Sequence, residues 1–107
     1  MMCLNPTVTI DVQAGPDSAT VSIRGELDLV TNPVLAEQLN RVLRNRPGRL
    51  VFDLAGTTFM DCGSARLIAR AGRSLPGGQR PVIRHPGPGV RRILELTGLD
   101  TSLEIED

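Results

Sequence analysis

The segment from Leu50 to Ile68 limits what this chain can fold into more than any other part of it. Its opening, Leu50-Val51-Phe52, is a continuous apolar run of the kind that forms a buried strand. Ala55-Gly56 predicts the end of that strand, Thr57 and Thr58 a short turn, and Phe59 and Met60 a return to apolar surroundings. Asp61 is a favourable helix N-cap, and Leu67, Ile68, Ala71 and Leu75 recur on one face beyond it. The chain thus runs from strand through tight loop to helix. That geometry aims backbone N–H groups and the positive end of a helix dipole at whatever lies beside Cys62, Gly63 and Ser64. Sites in open α/β sheets form at the carboxyl ends of strands, so the functional surface is expected here.

The flanking segments supply the rest of a sheet and its cover. Val8, Ile10 and Val12 alternate with Thr7, Thr9, Asp11 and Gln13, a strand with one wet face over 7–13. Gly15-Pro16-Asp17-Ser18 is a turn, and alternation resumes through Ala19, Val21 and Ile23 to Leu27, predicting an antiparallel hairpin. Asn32 as N-cap and Pro33 at the first helical position open a helix whose apolar stripe is Leu35, Leu39, Val42 and Leu43, ending at Pro47-Gly48. The helix after Asp61 is expected to stop near Leu75-Pro76-Gly77-Gly78. A short strand over 81–85, a rigid turn at 86–89, a helix from about Val90 to Leu96 and a last strand near 103–106 complete the chain. In that third helix Val90, Ile93 and Leu94 are expected to face inward, with Leu96 on the edge of the same stripe.

The order β-β-α-β-α-β-α-β predicts an α/β domain spanning residues 1–107. Its sheet should be mixed and mostly parallel, with the first strand antiparallel at one edge and the helices packed against the sheet. The chain's 107 residues suffice for one unstapled core. A formal net charge of zero and only two aromatic residues, Phe52 and Phe59, argue against nucleic-acid binding, which needs basic excess and stacking surfaces. There is no Lys, and every side chain positively charged at neutral pH is Arg. Cys3, in an N-terminus expected to fray, and Cys62 form no metal or disulfide framework. No apolar run reaches the length of a membrane helix or of a secretory h-region, so a reduced cytoplasmic protein without cofactor or metal is expected.

The blocks Gly25-Glu26-Leu27-Asp28, Asn32-Pro33, Val51-Phe52-Asp53-Leu54 and Phe59-Met60-Asp61-Cys62, in this order and each beside the same kind of element, resemble the STAS domain. That family includes bacterial anti-sigma factor antagonists and the cytoplasmic tails of sulphate transporters. The resemblance covers nearly the whole chain, and the Phe-Met-Asp block before a helix is its most specific part. It implies a non-enzymatic antagonist that binds an anti-sigma factor, a kinase-like ATPase, and so releases a sigma factor by partner switching. It implies a docking rim of Asp28, Thr31, Asn32, Thr58, Phe59, Met60, Asp61, Cys62, Gly63, Ser64 and Arg66.

In the family, the kinase reverses the switch by phosphorylating a Ser or Thr two places after that Asp. Here Gly63 occupies the position, and Ser64 follows where Gly is usual. Either Ser64 is the acceptor in a loop shifted by one residue, or the protein is not switched in this way. The second reading is preferred, because one residue along a helix turns a side chain by about a hundred degrees.

Other residues are read more plainly. Asp28 and Asp61 should end neighbouring parallel strands on the same rim, but no His or aromatic pocket accompanies them to make a hydrolase. Asp53 is assigned a structural role. Cys62 is best read as a small filler; reactivity from the helix N-terminus is opposed by adjacent Asp61. His85 lacks a second base or nucleophile for a triad. Arg66, Arg70 and Arg73 form a solvated helix face. Two other classes compete with the antagonist: a STAS subunit that binds and regulates a membrane transporter ATPase, and an enzyme using Cys62 or the carboxylates. The free protein is expected to be a monomer.

Overall fold

The structure, a computed structural model, describes residues 2–5 and 8–106. Six strands lie in one sheet among the described residues, in the order of the chain: β1 (Met2–Asn5), β2 (Val8–Ala14), β3 (Ser18–Leu27), β4 (Arg49–Met60), β5 (Val82–Arg84) and β6 (Glu104–Glu106). β1, β2 and β3 pair antiparallel, and β3 to β6 pair parallel. The helices α1 (Asn32–Arg44), α2 (Cys62–Ala71) and α3 (Pro88–Leu96) each connect two neighbouring parallel strands. Successive right-handed crossovers that always step the same way along a sheet put every helix on the same face.

The burial pattern agrees with that one-sided cover. Ile10, Val21, Ile23, Phe52, Leu54 and Ile83 on the strands join Leu35, Leu39, Ile68, Val90 and Leu94 on the helices in a single connected core. Val51 and Val82, one residue out of phase and paired with each other, are also buried but point away from that core. On their strands' opposite face Arg49 and Arg84 both reach Glu106, at 3.8 and 3.0 Å. In α3, Val90 and Leu94 are buried, while Leu96 is exposed and leaves the predicted stripe.

Several boundaries depart from the sequence reading. Residues Met2–Asn5, expected to fray, form a strand with Cys3 opposite Ile10. Four residues are too few to display a period, but they supply partners for the otherwise bare edge of β2. Thr7, the expected start of the hairpin, lies outside the described residues. Asn32 is the first residue of α1 rather than its cap; Thr31 holds the cap position. Helix α3 starts at Pro88, inside the segment read as a turn, with Gly87 as its N-cap.

The largest difference is in β4, which runs unbroken from Arg49 to Met60 through Ala55-Gly56. The glycine marks an irregularity in pairing, not a strand end: the register against β3 shifts between Ser22 and Arg24 and again between Gly25 and Glu26. A Cβ on Gly56 would stand 2.7 Å from Arg24 Cγ, so the residue allows close approach of the neighbouring strand. Thr57 Oγ1 and Thr58 Oγ1 donate to the carbonyls of Ile23 and Gly25, at 2.9 and 3.2 Å, and tie the irregular stretch to β3.

Candidate functional site

β3 and β4 end side by side, with Leu27 level with Met60. The Asp61 N–H donates to the Leu27 carbonyl at 2.9 Å, so the two segments that leave these strands start from one fixed point. Asp28 and Asp61 therefore do lie on the same rim.

The first segment, 28–31, is built on two polar side chains. Asp28 Oδ1 accepts from the N–H groups of Val30 and Thr31, each at 3.0 Å. Thr31 Oγ1 accepts from the Asp28 N–H at 2.9 Å and donates to the Glu26 carbonyl at 2.8 Å. With Thr31 fully buried and Asp28 Oδ1 held by the loop's own N–H groups, the two residues between them are turned outward. Leu29 is 83% and Val30 76% exposed. Sequence reasoning missed both. Their signal was two consecutive apolar residues between a strand end and a helix start that belong to neither period.

The second segment, 58–64, carries Phe59, which is 50% exposed rather than returned to the core as expected. Asp61 is extended (φ −93°, ψ 174°), and its Oδ1 accepts from the Ser64 N–H at 2.8 Å, the predicted N-cap. The same oxygen accepts from Ser64 Oγ at 2.8 Å. On its other side Ser64 Oγ meets the Asn32 side-chain amide. A hydroxyl has one proton for these two acceptor oxygens; turning the amide over lets its N–H donate to Oγ while Oγ–H donates to Asp61. Asn32 at the start of α1 and Asp61 before α2 are thus bridged through Ser64.

Ser64 has no exposed surface. Gly63 next to it is exposed, and a Cβ there would stand 3.0 Å from Asn32 Nδ2 and 3.6 Å from Asp61 Oδ1. Cys62 and Arg66 are exposed on the same turn of α2, and Thr58 is exposed on β4. Of the residues expected on the rim, Asp28, Asn32, Thr58, Phe59, Asp61, Cys62, Gly63 and Arg66 have solvent access, whereas Thr31, Met60 and Ser64 lie beneath and support it. Asp53 Oδ1 accepts from the Ala55 N–H at 3.1 Å, inside β4 and away from the rim. His85 follows β5 with φ 54°, its N–H donating to the Glu106 carbonyl at 3.0 Å.

The family model described as "Mlab, STAS domain" matches residues 10–105. The chain belongs to the STAS family. This STAS chain is 27% identical over 99 residues to the anti-sigma-F factor antagonist RsfB of Mycobacterium tuberculosis, covering 92% of this chain and 81% of that protein. The crystal structure of an anti-sigma factor antagonist from Mycobacterium paratuberculosis superposes with a TM-score of 0.84 at 29% identity, over 94% of this chain and 87% of the other. The antagonist SpoIIAA of Bacillus, in its unphosphorylated form, shares the STAS fold at a TM-score of 0.77 and 17% identity, over 92% and 88% of the two chains. No helix among the described residues of this STAS chain is long and apolar enough to cross a membrane.

Proposed function

We propose that this STAS protein is an anti-sigma factor antagonist. It docks on an anti-sigma factor of the kinase-like ATPase kind through the rim formed by residues 28–32 and 58–66, and so frees a sigma factor for transcription. It acts in the cytoplasm as a binding module rather than an enzyme, free as a monomer, with residues 1–107 as one domain. The observation that carries this reading is the construction of the rim. Two loops fixed to each other at Leu27 and Asp61 hold Leu29, Val30 and Phe59 out to solvent, one framed by Asp28 and Thr31 and the other tied through Ser64 to Asn32 and Asp61. Exposed apolar side chains on a rigid polar frame suit a protein partner, which covers them and excludes water. Identities of 27% and 29% to proteins named anti-sigma factor antagonists, over more than nine-tenths of this chain, support the class of partner.

In this reading the antagonist is not switched at Ser64. Phosphoryl transfer needs an acceptor oxygen presented in line with the nucleotide. Ser64 Oγ is fully buried and engaged with Asp61 and Asn32. Gly63, which is exposed at the expected position, has no hydroxyl. The test combines a binding measurement with intact mass after incubation with the cognate anti-sigma factor and ATP. The expected outcome is a complex that persists in ATP and an unchanged mass. Phosphate on Ser64 would overturn the unswitched reading. Capture of a transporter ATPase, with no affinity for the anti-sigma factor, would overturn the partner.

A further inference from the structure

An open groove of about 540 Å³ lies along the flank of α2, away from the polar cluster on the rim. Arg66, Arg70, Arg73 and Arg80 line it, and the half-buried Ala69 and Leu99 supply apolar surface between them. Gly72 shapes one end: where its Cβ would stand, Pro81 Cδ lies at 2.5 Å, so the chain leading into β5 closes against the end of α2. No acidic residue lines the groove. The ion pairs among the described residues use Arg41, Arg49 and Arg84, and none of the four groove arginines. In a chain of 12 basic and 12 acidic residues with zero net charge, this is a segregation of charge. It does not serve the helix, because like charges four apart weaken it.

We propose that this groove is a second docking surface, whose occupant is an acidic amphipathic segment of a protein partner. Arg66 and Arg70 stand one turn apart on α2, roughly 6 Å along its axis at about 1.5 Å per residue, and Arg73 follows in the 3-10 turn Gly72–Ser74 that continues the helix. Carboxylates on successive turns of a facing helix match these guanidinium groups, and a Leu or Val between them covers Ala69 and Leu99. Arg favours this pairing because its guanidinium binds a carboxylate through two parallel N–H donors. Nucleic acid fits less well: neither Phe52, in the core, nor Phe59, on the rim, lines the groove to stack a base. The groove does not depend on the rim reading, since Arg66 alone belongs to both.

The test uses the full chain, isotope-labelled for NMR, and a synthetic helical peptide with Glu at i, i+4 and i+7 and Leu between. Controls are a scrambled peptide of the same composition, a single-stranded oligonucleotide and an anionic vesicle. Binding by the patterned peptide, with shifts confined to the groove and affinity falling as salt is raised, is expected. The variant Arg73→Glu/Arg80→Glu should bind at least tenfold more weakly, and should recover affinity for a peptide carrying Lys in place of Glu. No binding, or equal binding by the scrambled peptide, the oligonucleotide or the vesicle, overturns the proposal. Leu29→Ala/Val30→Ala should leave peptide binding intact, so failure of the rim and failure of the groove are read separately.

Discussion

At Ser64 a polar side chain is withdrawn from water without being left unpaired. Its N–H and its hydroxyl both reach Asp61 Oδ1, at 2.8 Å each, and Asn32 meets the same hydroxyl from α1. Removing such a buried hydroxyl leaves its partners short of a hydrogen bond, so Ser64→Ala should lower unfolding free energy by about 1–2 kcal/mol in urea titrations. An unchanged stability would show that the bridge between the helices contributes nothing. The converse change tests regulation. Gly63→Ser adds a Cβ whose tightest neighbour is the Asn32 side-chain amide at 3.0 Å, the end of a side chain that can give way. The new hydroxyl is expected to be exposed. With ATP and the kinase-like anti-sigma factor proposed above, the variant should take up phosphate and then lose affinity for that partner, because the added charge falls beside Asp61. A Gly63→Ser protein that stays unmodified would mean that more than a missing hydroxyl separates this chain from a switched one. The cap role of Asp61 was legible in the sequence because it is local, set by residues three apart. The burial of Ser64 was not, because it depends on Asn32, 32 residues away and on another helix.

The loop 28–31 and the strand β4 show how elements override local signals. In the loop, alternation and helical period both stop, and what remains is a frame of Asp28 and Thr31 that turns Leu29 and Val30 outward. Side chains so exposed in the free protein contribute little to its stability, so Leu29→Ala/Val30→Ala should leave unfolding within about 0.5 kcal/mol of the parent. The same variant should bind the anti-sigma factor more weakly by about 2 kcal/mol, read by calorimetry. Equal affinity would place the contact elsewhere. In β4 the Ala-Gly pair reads as a break, yet twelve residues stay in the sheet. Pairing on the β3 side, with Thr57 and Thr58 anchored to Ile23 and Gly25, outweighs the weak strand propensity of one glycine. Gly56→Ala should therefore destabilise by about 1–3 kcal/mol, since Arg24 Cγ at 2.7 Å would have to move. A neutral or stabilising effect would mean the two strands need no close approach there.

Over the whole molecule, the order of elements from residue 8 onward, the hairpin and the mostly parallel pairing of the sheet were readable, β1 excepted, because each follows from periodicity and the rules of strand connection. The exposed tip of the rim and the arginine groove were not, because both arise only when residues distant in sequence meet. What fixes the rim in space is the core beneath it rather than the ion pairs on the other face of the sheet. Phe52, with no exposed surface, sits on β4 between β3 and β5 and packs with residues from both sheet and helices. Arg49, Arg84 and Glu106 are each about half exposed, so water and salt screen their attraction. Phe52→Ala should then cost about 3–5 kcal/mol, while Glu106→Ala should cost at most about 1 kcal/mol, both measured by chemical unfolding. Because domains of this size have only about 5–15 kcal/mol of stability in all, the first variant should also weaken partner binding through loss of folded protein, and the second should not. If Glu106→Ala proved the more damaging, the pairs roofing Val51 and Val82 would be a structural element in their own right, and the sheet would depend on both its faces.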